Sequence, residues 1–310
     1  MSTKGKMCVI LNFYKINSEK YKTICGGESM SYLYHYTSLD TLALILKNRT
    51  LCFNNLRNVD DMEEAQSEDM GEFGKFVYVS CWTADSEESI PLWNLYTPDM
   101  HGVRIRFPEY PFETYHYKKG EFFCEEDVDT YIDLAHMIAE YRYSILPKNP
   151  VLVEVEYDNE KARLFPRVRQ ESYPGALQDF LEAKSLEELM RKKIKVNYSF
   201  DKVGYYKRKI WDFQKEWRYK ISISPMGLQE SNPQTLEKQQ ECFRRLEDRD
   251  AEPPVQRIFL KIDENALKEL EVVFGPKMTD AEKIMAVALL EKYAPECKYK
   301  ESCLQIRQSR

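Results

Sequence analysis

The first clear pattern in the chain is an alternation of aromatic and other side chains at residues 32–36, which predicts a short strand. Thr37 or Ser38 can cap a helix directly after it, and Asp40 suits the first turn of that helix. The apolar residues that follow have the spacing of one helix face: Leu39, Leu42, Ile45 and Leu46. The sequence therefore predicts a strand that leads directly into an amphipathic helix.

The alternation typical of strands and the apolar spacing typical of helix faces also predict the rest of the secondary structure. Further strands are predicted at residues 50–54, 76–82, 102–107, 151–157, 216–223, 256–262, 271–274 and 302–306. Helices are predicted at 87–96, 127–146, most of 176–215 and 279–293, with an acidic helix start at 60–64 and a short helix between the strands at 256–262 and 271–274.

The order of these elements indicates the fold class. Strands and helices alternate without a regular βαβ rhythm, and neither GxGxxG nor GxxxxGK[ST] occurs, so a Rossmann or P-loop fold is not expected. We expect an α+β fold with mixed, largely antiparallel sheets and flanking helices. Residues 1–31 are predicted to be a lead-in and residues 32–310 a single domain, with a polar insertion at about 225–254.

Composition narrows the classes of partner. The 310 residues carry a net charge of −6, which argues against nucleic acid as a bulk partner. Basic residues cluster only locally, at 191–195 and 205–209, where a solvated helix face or a local phosphate contact would explain them. No run of about 18 apolar residues predicts a membrane span, and the short apolar patch near the N-terminus does not resemble a signal peptide.

The eight cysteines indicate the redox compartment. They form no CxxC pair and no Cys/His spacing typical of zinc, so no metal is expected. Several, including Cys52 and Cys81, lie in apolar runs. We therefore predict reduced, buried thiols in a cytoplasmic protein.

Two residues stand out as candidates for chemistry. His35 lies at a strand end before a helix, where it is either a hydrogen-bonded structural residue or a donor to a sugar or phosphate group. Glu216 opens a strand that continues with Trp217 and Arg218. Its carboxylate is either a salt-bridge partner or a group that stabilises positive charge on a sugar or activates a nucleophile.

Other candidates have equally ordinary alternatives. Trp93 and Tyr96 form an i, i+3 pair that could pack in the core or line a pocket. Arg104 and Arg106 share one face of a predicted strand. The acidic residues near position 60 suit a solvated helix start better than a metal site: Asp60, Asp61, Glu63 and Glu64.

Several motifs in order resemble a bacterial family known as domain of unknown function 2971. The motifs are at 32–38 with 51–53, 59–64, 79–81, 93–96 (Trp-x-x-Tyr), 102–107, 207–211 and 216–218. The resemblance covers roughly residues 32–306. It departs from the usual Asn-Asp-Pro, which is Asp60-Asp61-Met62 here, and at the insertion near 225–254.

The opening of that family is similar to the start of ADP-ribosyltransferase-type folds, in which a strand histidine in a Tyr-His-x-Thr setting holds NAD and a later strand glutamate is catalytic. This resemblance implies that His35 holds the NAD ribose, Tyr36 stacks near the nicotinamide and Glu216 stabilises the oxocarbenium-like transition state. One of the three arginines Arg57, Arg104 and Arg218 is expected to hold the pyrophosphate. The remaining expected cofactor contacts are Thr37, Trp93 and Tyr96.

The leading hypothesis is therefore an NAD-dependent ADP-ribosyltransferase-like enzyme or NAD glycohydrolase in bacterial stress or phage defence. NAD would be its substrate, and a protein or nucleic acid its acceptor. The alternatives are a non-catalytic nucleotide or nucleic-acid sensor, and a structural interaction module in which His35 and Glu216 are core polar residues. A cleft that gathers His35, Tyr36 and Glu216 would favour the first two hypotheses.

Overall fold

The structure is a computed structural model that describes residues 32–124, 126–140, 143–172, 195–227, 241 and 244–307. The predicted lead-in at 1–31, residues 176–194 of the predicted helical region and much of the predicted insertion lie outside these residues.

The described chain mixes strands with mostly short helices. The strands are β1 (Tyr32–Thr37), β2 (Thr50–Asn55), β3 (Val77–Thr83), β4 (Val103–Pro108), β5 (Tyr115–Tyr117), β6 (Val128–Thr130), β7 (Tyr143–Glu154), β8 (Glu156–Tyr157), β9 (Arg169–Ser172), β10 (Lys195–Tyr198), β11 (Tyr206–Lys207), β12 (Glu216–Gly227), β13 (Arg257–Lys261), β14 (Glu271–Phe274) and β15 (Lys298–Glu301). The α-helices are α1 (Leu39–Asn48), α2 (Ile90–Tyr96), α3 (Leu134–Glu140), α4 (Lys161–Leu164), α5 (Glu264–Lys268) and α6 (Asp280–Tyr293). Short 3-10 helices cover Leu56–Asn58, Phe73–Phe76, Pro98–Met100, Glu121–Phe123 and Lys209–Gln214.

Local signals explain where two of the helices begin. Ser38 caps α1 by accepting a hydrogen bond from the backbone N–H of Thr41 at 3.1 Å. At α6 a reciprocal capping box joins Thr279 and Glu282. In α1 the predicted stripe is buried at Leu42, Ile45 and Leu46. The predicted strand–helix unit at the start of the described chain is confirmed.

One curled, mostly antiparallel sheet of nine strands organises the fold. Its strands follow the order β13-β2-β3-β1-β4-β14-β15, and β12 pairs with both β3 and β7. Among the pairs described in this sheet, β14 with β15 is the parallel one. The coarser prediction, an α+β fold with largely antiparallel strands, is confirmed.

The sheet divides at β3. One edge of β3 pairs with β12 over residues 77–83. Its other edge pairs first with β2, at Tyr78 and Val79, and then with β1 at Tyr34↔Thr83. Two branches of the sheet therefore diverge from the same edge of β3, and β1 leaves it to pair with β4 along six residues.

A second, smaller apolar cluster lies on the outer face of the sheet and takes residues from β1 and β14. Its buried members are Tyr36, Leu92, Trp93, Met100 and Val273, with Leu304 and Ile306 packed against them. The Glu88 carboxylate holds the segment that contains Leu304 and Ile306 in place. It accepts hydrogen bonds from the Ser302 hydroxyl at 2.6 Å and from the Cys303 N–H at 2.8 Å. Within the described chain, no helix is long and apolar enough to cross a membrane.

Three predicted elements are wrong. Residues 127–146 form β6, the short α3 and the start of β7 rather than one helix. The reason is long-range pairing, since β7 pairs with β12 and this context overrides local propensity. Residues 195–208, predicted helical, contain β10, turns and β11, and residues 209–214 form a 3-10 helix. The last strand is at Lys298–Glu301 instead of 302–306. Alternate residues of 302–306 are half-buried, but the segment forms no strand.

The acidic helix start predicted at 60–64 is also wrong. The segment is a turn, in which the Asp61 carboxylate accepts a hydrogen bond from the Glu63 N–H at 3.1 Å. Glu64 was expected to be solvated but is 4% exposed. Its charge is held by ion pairs that no local pattern reveals.

Candidate functional site

The division of the sheet leaves a small cleft beside the point where β1 leaves β3. Its volume is about 60 Å³. The residues that line it come from β1, β3, α2, the end of the 3-10 helix Lys209–Gln214 and the start of β12: Tyr34, His35, Tyr36, Cys81, Trp82, Thr83, Leu92, Tyr96, Gln214 and Glu216. Candidates that are widely separated in the sequence, His35, Tyr36, Tyr96 and Glu216, therefore line one cleft.

The His35 side chain bridges the two strands that diverge at the cleft. Its Nδ1 lies 2.7 Å from the carbonyl oxygen of Cys81. A carbonyl can only accept, so we assign the proton to Nδ1 and leave Nε2 as an acceptor. Burial lowers the pKa of His35 more than the bond to Cys81 raises it. The imidazole is therefore neutral near pH 7, and its ring centroid lies 5.1 Å from that of Trp82.

Glu216 lines the cleft from within a buried ionic network. Its Oε2 lies 2.8 Å from Lys207 Nζ and its Oε1 lies 2.6 Å from Arg218 Nη2. Glu64 pairs with the same two cations, at 3.1 Å from Lys207 and in a close contact with Arg218. Two carboxylates and two cations, each at most 5% exposed, balance one another.

The two carboxylates of this network differ in proton affinity. Burial would raise the pKa of Glu216, but Arg218 and Lys207 outweigh it and lower that pKa to about 2. Burial prevails at Glu64, where the pKa is raised. A proton entering the network is therefore taken up by Glu64, and Glu216 stays ionised at the cleft.

Gln214 connects the network to the wall of the cleft, and sequence reasoning missed it. Its Oε1 accepts from Lys207 Nζ at 2.8 Å, and its Nε2 donates to the Tyr96 hydroxyl at 2.5 Å. The available signal was its place two residues before Glu216 at a strand start. Lys207 and Glu64 were also missed, because a charged cluster and an acidic turn look like solvated surface in the sequence.

Tyr36 and its neighbours mainly support the cleft. The Tyr36 hydroxyl accepts from the Ser89 N–H at 2.9 Å, and the ring meets Trp93 edge-to-face at 4.9 Å. Trp93 is fully buried and Thr37 is 6% exposed, and neither lines the cleft. Tyr36 therefore offers the cleft part of its ring, while its hydroxyl fixes the start of α2.

The three candidate arginines lie outside the cleft lining. Arg104 is buried beneath Tyr34, with its guanidinium 4.8 Å from the ring centroid, and it donates to the Ser86 carbonyl. Arg218 belongs to the network. Arg57 pairs with Glu252 and lies in a different cavity.

The chemical repertoire of the cleft follows from these groups. It combines flat aromatic walls, a neutral imidazole acceptor and an ionised carboxylate. The volume of about 60 Å³ is well below the ~300–1,000 Å³ of sites that enclose a whole ligand. The cleft can therefore receive one end of a ligand. Across the described residues, no group of three or more His, Cys, Asp or Glu side chains is placed to hold a metal ion.

No family model matches the chain, and neither the curated proteins nor the solved structures contain a significant match to it.

Proposed function

We propose that the cleft binds the nicotinamide–ribose end of NAD and that the chain is an ADP-ribosyltransferase-like enzyme or an NAD glycohydrolase. One observation carries the proposal: His35 and Tyr36 of β1 and an ionised Glu216 at the start of β12, which are far apart in the sequence, line the same cleft. These are the groups that the resemblance assigns to NAD. The proposed fold type, an ADP-ribosyltransferase-like α+β fold, is consistent with a curled sheet whose branches diverge at the cleft.

Each group has a defined role in the proposal. The Nε2 acceptor of His35 receives a hydrogen bond from a ribose hydroxyl. The rings of Tyr34, Tyr36 and Trp82 offer flat apolar surfaces to the nicotinamide. The Glu216 carboxylate opposes the positive charge that grows on the ribose as the nicotinamide leaves.

The ionic network affects how strongly Glu216 can act. Lys207 and Arg218 keep its carboxylate ionised, but they also offset part of its negative potential. A bound ribose cation would share the carboxylate with both side chains. Glu64 compensates by supplying a second negative charge to the same two cations.

A second candidate function rests on the same observation. In a charge-balanced network Glu216 is also suited to a fixed structural role, and the cleft would then bind a nucleotide without cleaving it. This is the nucleotide-sensor hypothesis. The two candidates share the ligand and differ in turnover.

The decisive experiment measures binding and cleavage in parallel. NAD binding is followed by isothermal calorimetry, and nicotinamide release is followed with and without protein or nucleic-acid acceptors. Release supports the enzyme, and binding without release supports the sensor. If NAD neither binds nor is cleaved, both proposals fail. A cytoplasmic location, inferred from the cysteine pattern, and a role in bacterial stress or phage defence, implied by the sequence resemblance, belong to the same proposal.

A further inference from the structure

A second, larger cavity lies at the opposite end of β3 from the cleft. Its volume is about 300 Å³, the lower limit of the ~300–1,000 Å³ typical of ligand pockets. Lys75 and Phe76 line it just before β3 begins, whereas Cys81 to Thr83 at the end of β3 line the cleft. With a rise of about 3.3 Å per residue, the two sites are roughly 20 Å apart along the strand.

The walls of this cavity carry an excess of positive charge. Arg57, Lys75 and Arg249 line it together with two carboxylates, Glu72 and Glu252, which leaves one positive charge in excess. Arg57 pairs with both carboxylates, at 2.8 Å from Glu72 and 2.9 Å from Glu252. Lys75, which is 7% exposed, also pairs with Glu252, at 2.8 Å. One carboxylate thus serves two cations.

Arg249 is the cation that this arrangement leaves without a counter-charge. In the described chain its guanidinium contacts the backbone carbonyl of Asp69 at 3.4 Å and pairs with no carboxylate. The nearby Asp69 carboxylate is used elsewhere, since it accepts from the N–H groups of Val168 and Arg169. The Arg249 guanidinium therefore retains N–H donors that can bind an incoming anion.

The existing carboxylates do not prevent an anion from binding. The side chains of Glu72 and Glu252 are 41% and 56% exposed, so either can turn to water when a stronger anion arrives. A phosphate monoester carries up to two negative charges and three acceptor oxygens, and guanidinium forks match it in a bidentate manner. The buried floor of the cavity, formed by Met70, Phe73 and Leu246, closes the site behind the charges.

We propose that this cavity is a binding site for a small phosphate monoester, held by Arg249 with Arg57 and Lys75. The site is independent of the cleft and of the proposed reaction with NAD. In this proposal Arg57 binds the phosphate monoester in this cavity, rather than the pyrophosphate of a nucleotide bound in the cleft.

The test is isothermal calorimetry of the whole chain with ribose 5-phosphate at low ionic strength, with ribose as the uncharged control. We expect ribose 5-phosphate to bind and ribose not to. Arg249→Gln should weaken binding about tenfold, as expected for one lost charge-assisted contact. The matched control is Arg244→Gln, because Arg244 is an exposed residue of the same segment that pairs with Glu241 outside the cavity. It should bind like the wild type.

A third variant separates recognition from stability. Glu252→Gln removes the carboxylate that competes for Arg57 and Lys75, so it should tighten phosphate binding several-fold while lowering the melting temperature. A purely structural role for these ion pairs gives the loss of stability without the gain in affinity, and that result counts against the site. No binding of ribose 5-phosphate by the wild type in the millimolar range, or equal binding by Arg249→Gln and Arg244→Gln, would overturn the proposal.

Discussion

Glu64 and Glu216 bind the same two cations, Lys207 and Arg218, but Glu216 alone of the two carboxylates lines the cleft. The chain therefore contains its own matched control for the proposed chemistry. Substitution at either position disturbs the same network. Only one of the two removes a charge from the place where a ligand would bind.

We predict that Glu216→Gln lowers nicotinamide release by about 10²–10³-fold, the effect typical of losing one preorganised electrostatic contact. NAD affinity should change little, because the lost contact acts in the transition state. The variant should also be less stable, since removing one partner of a buried ion pair costs about 3–5 kcal/mol.

Glu64→Gln provides the comparison. It should lower stability less than Glu216→Gln, because burial already raises the pKa of Glu64 and makes its neutral form less costly. Its nicotinamide release should fall much less than that of Glu216→Gln, because Glu64 acts on the cleft only through the two cations that it shares with Glu216. Equal losses of activity in the two variants would mean that the network acts through stability alone, and Glu216 would lose its catalytic role. The measurements are initial rates and melting temperatures on the same preparations.

His35 gives a prediction about pH. Its folded pKa lies below the unfolded value of about 6.5. The unfolded chain therefore binds this proton first as the pH falls, and stability decreases below about pH 6.5 until the folded pKa is reached. His35→Asn can still donate to Cys81 but does not titrate. The substitution should reduce the slope of the free energy of unfolding against pH in this range by at most about 1.4 kcal/mol per pH unit.

The same variant tests the role of His35 in binding. Asn retains the donor toward Cys81, whereas the Nε2 acceptor is lost. NAD affinity measured at pH 7.5 should fall while the melting temperature at that pH stays close to the wild-type value. A variant with unchanged affinity would assign His35 to a structural role between β1 and β3.

The thiols make a chemical prediction. The five cysteines of the described chain are free, with Cys303 exposed and Cys81 in the cleft lining. Burial raises the pKa of Cys81, and the thiolate is the reactive form. The hydrogen bond to Glu88 also raises the pKa of Cys303, so exposure rather than pKa separates the two thiols. Alkylation of the native protein should modify the exposed Cys303 faster than Cys81. Mass spectrometry of digested samples taken over time gives the order, and an intramolecular disulfide would contradict the predicted reduced state.

The cluster on the outer face of the sheet gives a prediction about Trp93. Leu304 and Ile306 pack against the cluster that contains this fully buried ring. Ile306→Ala should lower stability by about 2 kcal/mol or less, because the side chain is only half-buried. It should also shift tryptophan emission to longer wavelength, while Gln305→Ala, at the exposed position beside it, should do neither.

Local patterns predicted the elements whose cause is local. The residue pattern at 216–223 predicted β12 and that at 279–293 predicted α6, because the signals for a strand and for a helix lie within a few residues. The ionic network has no such signal, since Arg218 and Glu64 are 154 residues apart. An acidic residue in a turn is usually solvated, and the sequence does not show that distant residues bury the turn that contains Glu64. The meeting of His35 and Glu216 was expected from a family resemblance, and periodicity alone would not have suggested it.

The hydrogen bonds of Glu88 have a consequence for the protein during its synthesis. Ser302, whose hydroxyl binds Glu88, follows it by 214 residues, so a ribosome must translate that distance before the contact can form. Until then α2, which supplies Leu92 and Tyr96 to the cleft, lacks the packing of Leu304 and Ile306 behind it. In a nascent chain α2 would therefore gain its full packing only at the end of translation. Any reactivity toward a cellular nucleotide would develop after translation of residue 306.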